Sequence, residues 1–496
     1  MRDSEKPIDN NNTDGYGAGN SYAPPRSAYF WLAGIFAVVF AAIYIALVLF
    51  VHFVATGDGI LGLGEAQAYT LYVFVFAFFL LALYIYMAVS RKELLYSLKK
   101  AGALMTIFTF VVIVNIVLIA FNPYLICVAL VAMLVLPFSK KSDAFVLNAF
   151  SCLISSFVLI ATLDTTEFPA VAFTLIAGMI CGAVATYTFP SNMTRVVSVL
   201  RSFVTGVVTV IIYGVLLSTY KLSVDPFLDN VMYIGLSVAG ELLLTAVIVP
   251  IIESMFNLTS DFKLMELINH KAPLIRRLSI EAPGTFNHCL AVANFAEICA
   301  DAIGEDPYLA RACAYYHDVG KLNNVEYFTE NQAGYNPHDE ILPEVSAEII
   351  RKHTVDGYEL CKQYRIPEEV ARVTIEHHGT LPIMYFYNKA KSLTDGEVDM
   401  DEYRYYGEIP TGKIGAIIMI CDSAEAAIRA MDNPTGDKVD KLLRGMIDER
   451  LKLGQFDNCA ITMKDLTAIR EAIVGAYGGL YHKRIKYNIG RGGINV

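Results

Sequence analysis

The sequence predicts an all-α protein in two parts, a multispan helical membrane domain followed by a helical soluble domain. Three observations carry this. The 496 residues are 55% hydrophobic and 18% charged, against roughly 45–50% and about 25% in an ordinary soluble chain. The apolar excess is confined to residues 29–257, which read as a series of long apolar stretches. Beyond residue 258 the apolar residues recur with helical spacing, with no strand alternation and no internal repeat.

Residues 1–27 are rich in Asn, Gly, Asp and Pro and are expected to form a disordered cytoplasmic tail. Apolar stretches follow near 29–55, 69–90, 103–121, 123–138, 144–163, 168–189, 196–219 and 230–256. Most reach the roughly 20 residues that a spanning helix needs, and 123–138 is the short one. The first is too long for the apolar core of a signal peptide and reads as an anchor. The expectation is a transmembrane domain over 28–257 with about eight helices. Eight crossings leave both ends on one side. The segments then assigned inside hold eleven Lys and Arg, and those outside hold only Lys221. That asymmetry puts the N-terminus and residues 258–496 in the cytoplasm, with the lipid bilayer as a partner. Glu241 falls mid-span, where a carboxylate is costly and marks either a functional site or a bond to a neighbouring helix. Asn115 and Asn148 are expected to hydrogen-bond between helices.

The soluble half is long enough for one sizeable core. Residues 258–282 read as a connector and 283–496 as the domain. Helices are expected at Asn287–Ala302, Pro307–Val319, Pro343–His353, Pro367–His378, Ile414–Met431, Lys438–Leu453 and Met463–Tyr477. Gly379 closes the fourth as a C-cap. Leu381 to Pro410 is Tyr-rich and acidic and is expected to be a loop over the site. This half carries 27 basic against 35 acidic side chains, which argues against long nucleic acid as a partner. A bound metal can still reverse the sign locally for a small anion. The nine cysteines form no C-x-x-C pair, which fits a reduced compartment.

Of the nine histidines, five form one ordered series: His288, His317-Asp318, His353 and His377-His378, closed by Asp422. The gaps are 29, 35, 24 and 44 residues, about one or two helices each, so successive helices would deliver the side chains to one cleft. Imidazole and carboxylate are the ligands of Zn, Mn, Fe and similar ions. Adjacent His377 and His378 reach one cleft only at a helix end, where Gly379 puts them. Seven candidate ligands exceed what one metal needs, which argues for two divalent transition-metal ions. Such pairs clamp the oxygens of phosphoryl transfer.

The pattern His288, His317-Asp318, Asp422 resembles the HD superfamily of metal-dependent phosphohydrolases. The flanking text is more specific: E-A-P-G-T-F-N-H (281–288), H-D-V-G-K-L (317–322), F-T-E-N-Q (328–332), N-P-H-D (336–339), H-H-G-T (377–380), F-Y-N-K-A (386–390), D-S-A-E-A-A (422–427) and G-Q-F-D-N-C-A-I-T-M-K-D-L (454–466). Together these resemble the seven-transmembrane HD family, bacterial membrane phosphodiesterases of the PgpH type. The resemblance implies hydrolysis of a cyclic dinucleotide, cyclic di-AMP to pApA, in second-messenger signalling at the bacterial cell membrane. It implies a first metal on His288, His317, Asp318 and Asp422. A second would share Asp318 and take His353, His377 and His378. Mn or Fe suits this set, with Zn as the alternative. Asp318 and Lys321 would be catalytic, and Lys321, Asn336, His338 and Asp339 would contact substrate. The aromatic run Tyr385, Phe386 and Tyr387 stacks adenine or packs the insertion.

Two departures from the family stand out. Its members commonly carry a large extracellular domain after the first span, for which 56–68 leave no room. The segment G-E-I-P-T-G-K-I-G (407–415) is looser than the family's entry to the last Asp helix. The competing readings are a nucleotide receptor that does not turn over, whose mark would be a lost ligand, and a transporter, which has only Glu241 behind it. The residues leave the oligomeric state open, a homo-oligomer included.

Overall fold

The computed structural model describes residues 26–53, 65–91, 94, 97–162, 168–188, 195–219, 227–394 and 396–480. Most of the expected N-terminal tail and of the loop 56–68 lies outside them. The described chain is helical, and its one β-type pairing is an isolated bridge between Pro382 and Arg404. It divides into two compact units between Leu267 and Ile268, inside the segment read as a connector. That segment is itself helical, at Asp261–Leu267 and Pro273–Glu281.

Among the described residues of the first unit, seven helices are long and apolar enough to cross a membrane. The expected count of about eight is corrected at 123–138. Pro123–Leu125 is a short 3-10 turn and Leu130–Val135 a six-residue helix buried on every side. Between them the backbone is unwound. In apolar surroundings such backbone must find partners inside the protein, and three distant polar residues supply them. Cys127 N donates to Asn115 Oδ1 at 3.0 Å. Asn148 Nδ2 donates to Val128 O at 2.9 Å, and Ala132 N donates to Asn148 Oδ1 at 3.2 Å. Ala129 N donates to Glu241 Oε1 at 2.8 Å. Glu241 therefore bonds to the unwound backbone rather than to a neighbouring helix's side chain. The segment runs the length of the unit. Tyr124 packs on Phe173 and Tyr213, Ala129 meets Glu241 midway along Phe227–Phe256, and Pro137 O accepts from Asp261 N beyond that helix.

In the second unit, proline opens four helices: Pro273–Glu281, Pro283–Ile303, Pro307–Tyr316 and Pro343–Gln363. Its fixed φ suits the first turn, where no N–H is needed. Asp306 caps the third by accepting from Tyr308 N and Leu309 N. The helix expected to stop at His353 runs on to Gln363. What ends it is Arg365 at φ 55 and then Pro367. The expected helix 367–378 is two short turns, Glu368–Ala371 and Val373–Glu376. The insertion 381–410 is not only loop. Met384–Leu393 is a helix whose Phe386 and Ala390 pack on Ala347 and Tyr403. The helix Lys413–Ala430 passes through the core, with Ala416 to Cys421 buried throughout.

Candidate metal centre

Six elements deliver the predicted ligands. His288 sits on Pro283–Ile303, and His317 caps Pro307–Tyr316. Asp318 leads into the 3-10 turn Val319–Asn323, and His353 lies within Pro343–Gln363. His377 and His378 follow Val373–Glu376, and Asp422 lies on Lys413–Ala430. Two glycines permit the approach. A Cβ on Gly320 would lie 1.9 Å from His353 O, so only glycine lets the Asp318 turn pack on the His353 helix. Gly379 turns the chain away at φ +51, just past His378.

The side chains form two groups, His288–His317–Asp318 and His353–His377–His378, each with its ligand atoms within 4.8 Å of one another. Asp318 stands between them. Its Oδ2 lies 3.3 Å from His317 Nε2 and 3.7 Å from His288 Nε2. Its Oδ1 lies 3.4 Å from His353 Nε2 and 3.7 Å from His377 Nε2. Asp422 straddles in the same way, with Oδ1 2.9 Å from His288 Nε2 and Oδ2 3.7 Å from His378 Nδ1.

The residues fit divalent ions on two observations. His317 Nε2 and Asp318 Oδ1 are buried without a hydrogen bond. The second is a contact with no proton for it. Nδ1 of His353 faces Ile350 O, and Nδ1 of His377 lies 2.9 Å from Thr374 O. Each Nδ1 must therefore carry its ring's hydrogen, which leaves two bare Nε2 lone pairs 3.3 Å apart. Two nitrogens bound about 2.0–2.1 Å from one ion sit roughly that far apart.

Burial and charge divide the centre. Burial depresses His353 and His377, and it takes His378 down to about 3, so this group is neutral imidazole. Burial would also depress His288, but hydrogen bonds to Asp422 and Glu425 outweigh it and hold the ring at about 9. Desolvation would raise Asp318; Lys321 and His317 instead hold it well below the usual carboxylate range.

Lys321 Nζ lies 2.7 Å from Asp318 Oδ2 and 2.9 Å from Glu330 Oε1, so it closes the edge of the centre rather than standing in solvent. Asn336, His338 and Asp339 build a turn. Asn336 Oδ1 accepts from His338 N, His338 Nε2 lies 3.0 Å from Tyr327 O, and Lys389 Nζ donates to His338 O. Their described contacts join this turn to Tyr327, Phe386 and Lys389, not to the His/Asp cluster. Of the aromatic run, Phe386 is buried, Tyr387 packs on Tyr403 and Tyr385 is exposed. Sequence reasoning missed Glu330, Glu425 and Tyr405. Tyr405 stacks on His378 with ring centres 4.2 Å apart. Glu330 and Glu425 stand inside the motifs F-T-E-N-Q and D-S-A-E-A-A, Glu425 one turn past Asp422, and that placement was the available signal.

Residues 285–427 match the HD domain family, which defines the second unit as an HD domain. The chain is 37% identical over 335 residues to the cyclic-di-AMP phosphodiesterase PgpH of Listeria monocytogenes, covering 67% of this chain and 46% of that protein. It is 40% identical over 265 residues to the PgpH of Bacillus subtilis, covering 53% and 35%. The matches thus span less than half the length of these relatives. The crystal structure of the L. monocytogenes PgpH HD domain in complex with cyclic di-AMP is 43% identical, with 43% of this chain and 100% of that chain covered and a TM-score of 0.41. With its seven apolar helices ahead of an HD domain, the chain is similar to the seven-transmembrane HD proteins of the PgpH type.

Proposed function

We propose that this protein is a membrane-anchored, two-metal phosphodiesterase that hydrolyses cyclic di-AMP to pApA. The observation that carries the reading is Asp318, whose two oxygens face two separate nitrogen groups. The metal set we assign is His288, His317, Asp318 and Asp422 for one ion, and Asp318, His353, His377 and His378 for the other. Manganese or iron fits this mixed nitrogen and oxygen set, with zinc as the alternative. When bound, two such ions supply Lewis acidity at phosphorus and activate water. The chain's own residues do the rest. Asp318 and Asp422 fix the spacing of the two groups. Lys321 neutralises the outer edge of Asp318 and offers its ammonium to a phosphate oxygen. Asn336, His338 and Asp339 shape the turn beside the insertion at the substrate's entry. The choice of adenine rests on the relatives, whose names and bound ligand specify cyclic di-AMP.

We place the N-terminus and the HD domain on the cytoplasmic side, with the seven apolar helices in lipid. Seven crossings alone would scatter the eleven inner basic residues over both faces. A return of the broken segment 123–140 across the membrane would keep them on one face, and its turns, short helix and extended stretch reach roughly 35–40 Å, against a core of about 30 Å.

The test uses the full chain in detergent, loaded with Mn²⁺ or Fe²⁺ under reducing conditions and given cyclic di-AMP or cyclic di-GMP. Conversion of cyclic di-AMP to pApA that is abolished in His317→Ala/Asp318→Ala supports the reading. Nucleotide binding without turnover would replace it with a receptor.

A further inference from the structure

We infer that Glu425 is a positioning residue of the metal centre: its carboxylate holds His288 in the ring orientation and tautomer that turn Nε2 toward Asp318 and Asp422. The inference rests on the two-metal reading above. Glu425 is buried, and its Oε2 lies 2.6 Å from His288 Nδ1. It stands three residues past Asp422 on the helix Lys413–Ala430. Residues three apart share a helix face, so one helix grips one imidazole at both nitrogens, Asp422 at Nε2 and Glu425 at Nδ1. Arg429, one turn further on, pairs with Glu425 through its Nε at 2.9 Å and completes a chain from solvent to ligand.

The other rings show what is particular about this one. Nδ1 of His317 lies 2.7 Å from Ala314 O, Nδ1 of His377 lies 2.9 Å from Thr374 O, and Nδ1 of His353 faces Ile350 O. Those three imidazoles are fixed by carbonyls three residues back, which any sequence supplies and which carry no charge. Among these four, only His288 meets an anionic side chain at Nδ1; His317 adds no more than a contact with the Cys289 thiol at 3.9 Å. A carboxylate behind an imidazole both fixes its tautomer and strengthens it as a donor. The His288 side of the centre therefore depends on one replaceable residue, and the His353 side does not. Glu425 sets the affinity of one metal position and leaves the other alone.

The experiment uses the full chain in detergent. Metal dissociation constants come from competition with a chelating dye, and thermal unfolding of the metal-free protein serves as the fold control. The wild type takes up two equivalents. In Glu425→Ala one equivalent weakens by about 10- to 100-fold, the other keeps its affinity, and hydrolysis recovers as metal is raised. In Glu425→Gln the amide oxygen still accepts from Nδ1–H, so orientation survives without the charge and the loss is smaller. Two unchanged equivalents in Glu425→Ala would overturn the inference and leave Glu425 as a partner of Arg429 alone. Equal weakening of both equivalents would overturn it as well. If Glu425→Ala unfolds without metal, Glu425→Gln carries the test, and wild-type affinity at both positions overturns the inference. A wild type that binds no metal sinks the two-metal reading itself, a result distinct from any of these.

Discussion

Both units bury a carboxylate with an oxygen that makes no hydrogen bond, Glu241 Oε2 and Asp318 Oδ1, and they surround it in opposite ways. In the membrane unit, Glu241 accepts from the backbone N–H of Ala129, in a stretch with Asn115 and Asn148 on neighbouring backbone groups. In the HD unit, Asp318 is ringed by side-chain nitrogens of His288, His317, His353, His377 and Lys321, and its Oδ1 makes no hydrogen bond. The first arrangement completes the fold, because unwound backbone inside a bilayer has no other acceptor. The second is incomplete as protein alone and is completed by cations. A buried acid bonded to backbone marks architecture. A buried acid among bare imidazoles marks a binding centre.

The contrast can be broken most forcefully at Asp318. Asp318→Asn keeps the shape and removes the charge shared by both groups. Uptake of both metals should be lost, and hydrolysis should fall by about 10²–10³-fold or more. Retention of two metals by elemental analysis would show that the carboxylate is not the bridge. Next comes Gly320→Ala, whose Cβ would lie 1.9 Å from His353 O and 2.5 Å from Gly357 N. Forcing the turn from the helix should cost about 1–3 kcal/mol or more and weaken the metal on the His353 side, read by thermal unfolding and metal titration together. Glu241→Ala tests the other half of the comparison. It strips Ala129 N of its acceptor at a cost of about 1–3 kcal/mol, while Glu241→Gln keeps an oxygen and should cost less. Both should still bind two metals, whereas loss of metal in either would blur the distinction. The smallest effect is on pH. His288 stands at about 9 in the metal-free centre, so a metal taken up at pH 7 must displace its proton. Affinity should rise about tenfold per pH unit below 9 for that proton, and binding heats should differ between buffers of different ionisation enthalpy. Equal heats in all buffers would show that no proton leaves.

How much of this was legible in the sequence depended on how local the signal was. The His/Asp series could be read because its members stand in short strings, and because Gly379 fixed His377 and His378 at a helix end. The helix starts could be read because proline and Asp306 act on the adjacent turn. The broken segment 123–138 could not, because hydropathy measures apolarity and not helicity. Its partners Asn115, Asn148 and Glu241 lie 12, 20 and 112 residues from the groups they satisfy. Glu425 escaped for a different reason. An acid on a helix is ordinarily a solvated residue, and only the packing of His288 against it gives it a role. The turn of Asn336, His338 and Asp339 was legible as a motif, and the fold adds its hydrogen bonds to Tyr327 and Lys389.

The account turns on two metals held by one carboxylate, and one titration tests it. The metal-free full chain would be loaded stepwise with Mn²⁺ in detergent, with cyclic di-AMP conversion to pApA followed at each step. The account predicts little hydrolysis through the first equivalent, a rise across the second and a plateau at two. Full activity at one equivalent, or two bound equivalents with nucleotide bound and no pApA formed, would contradict it.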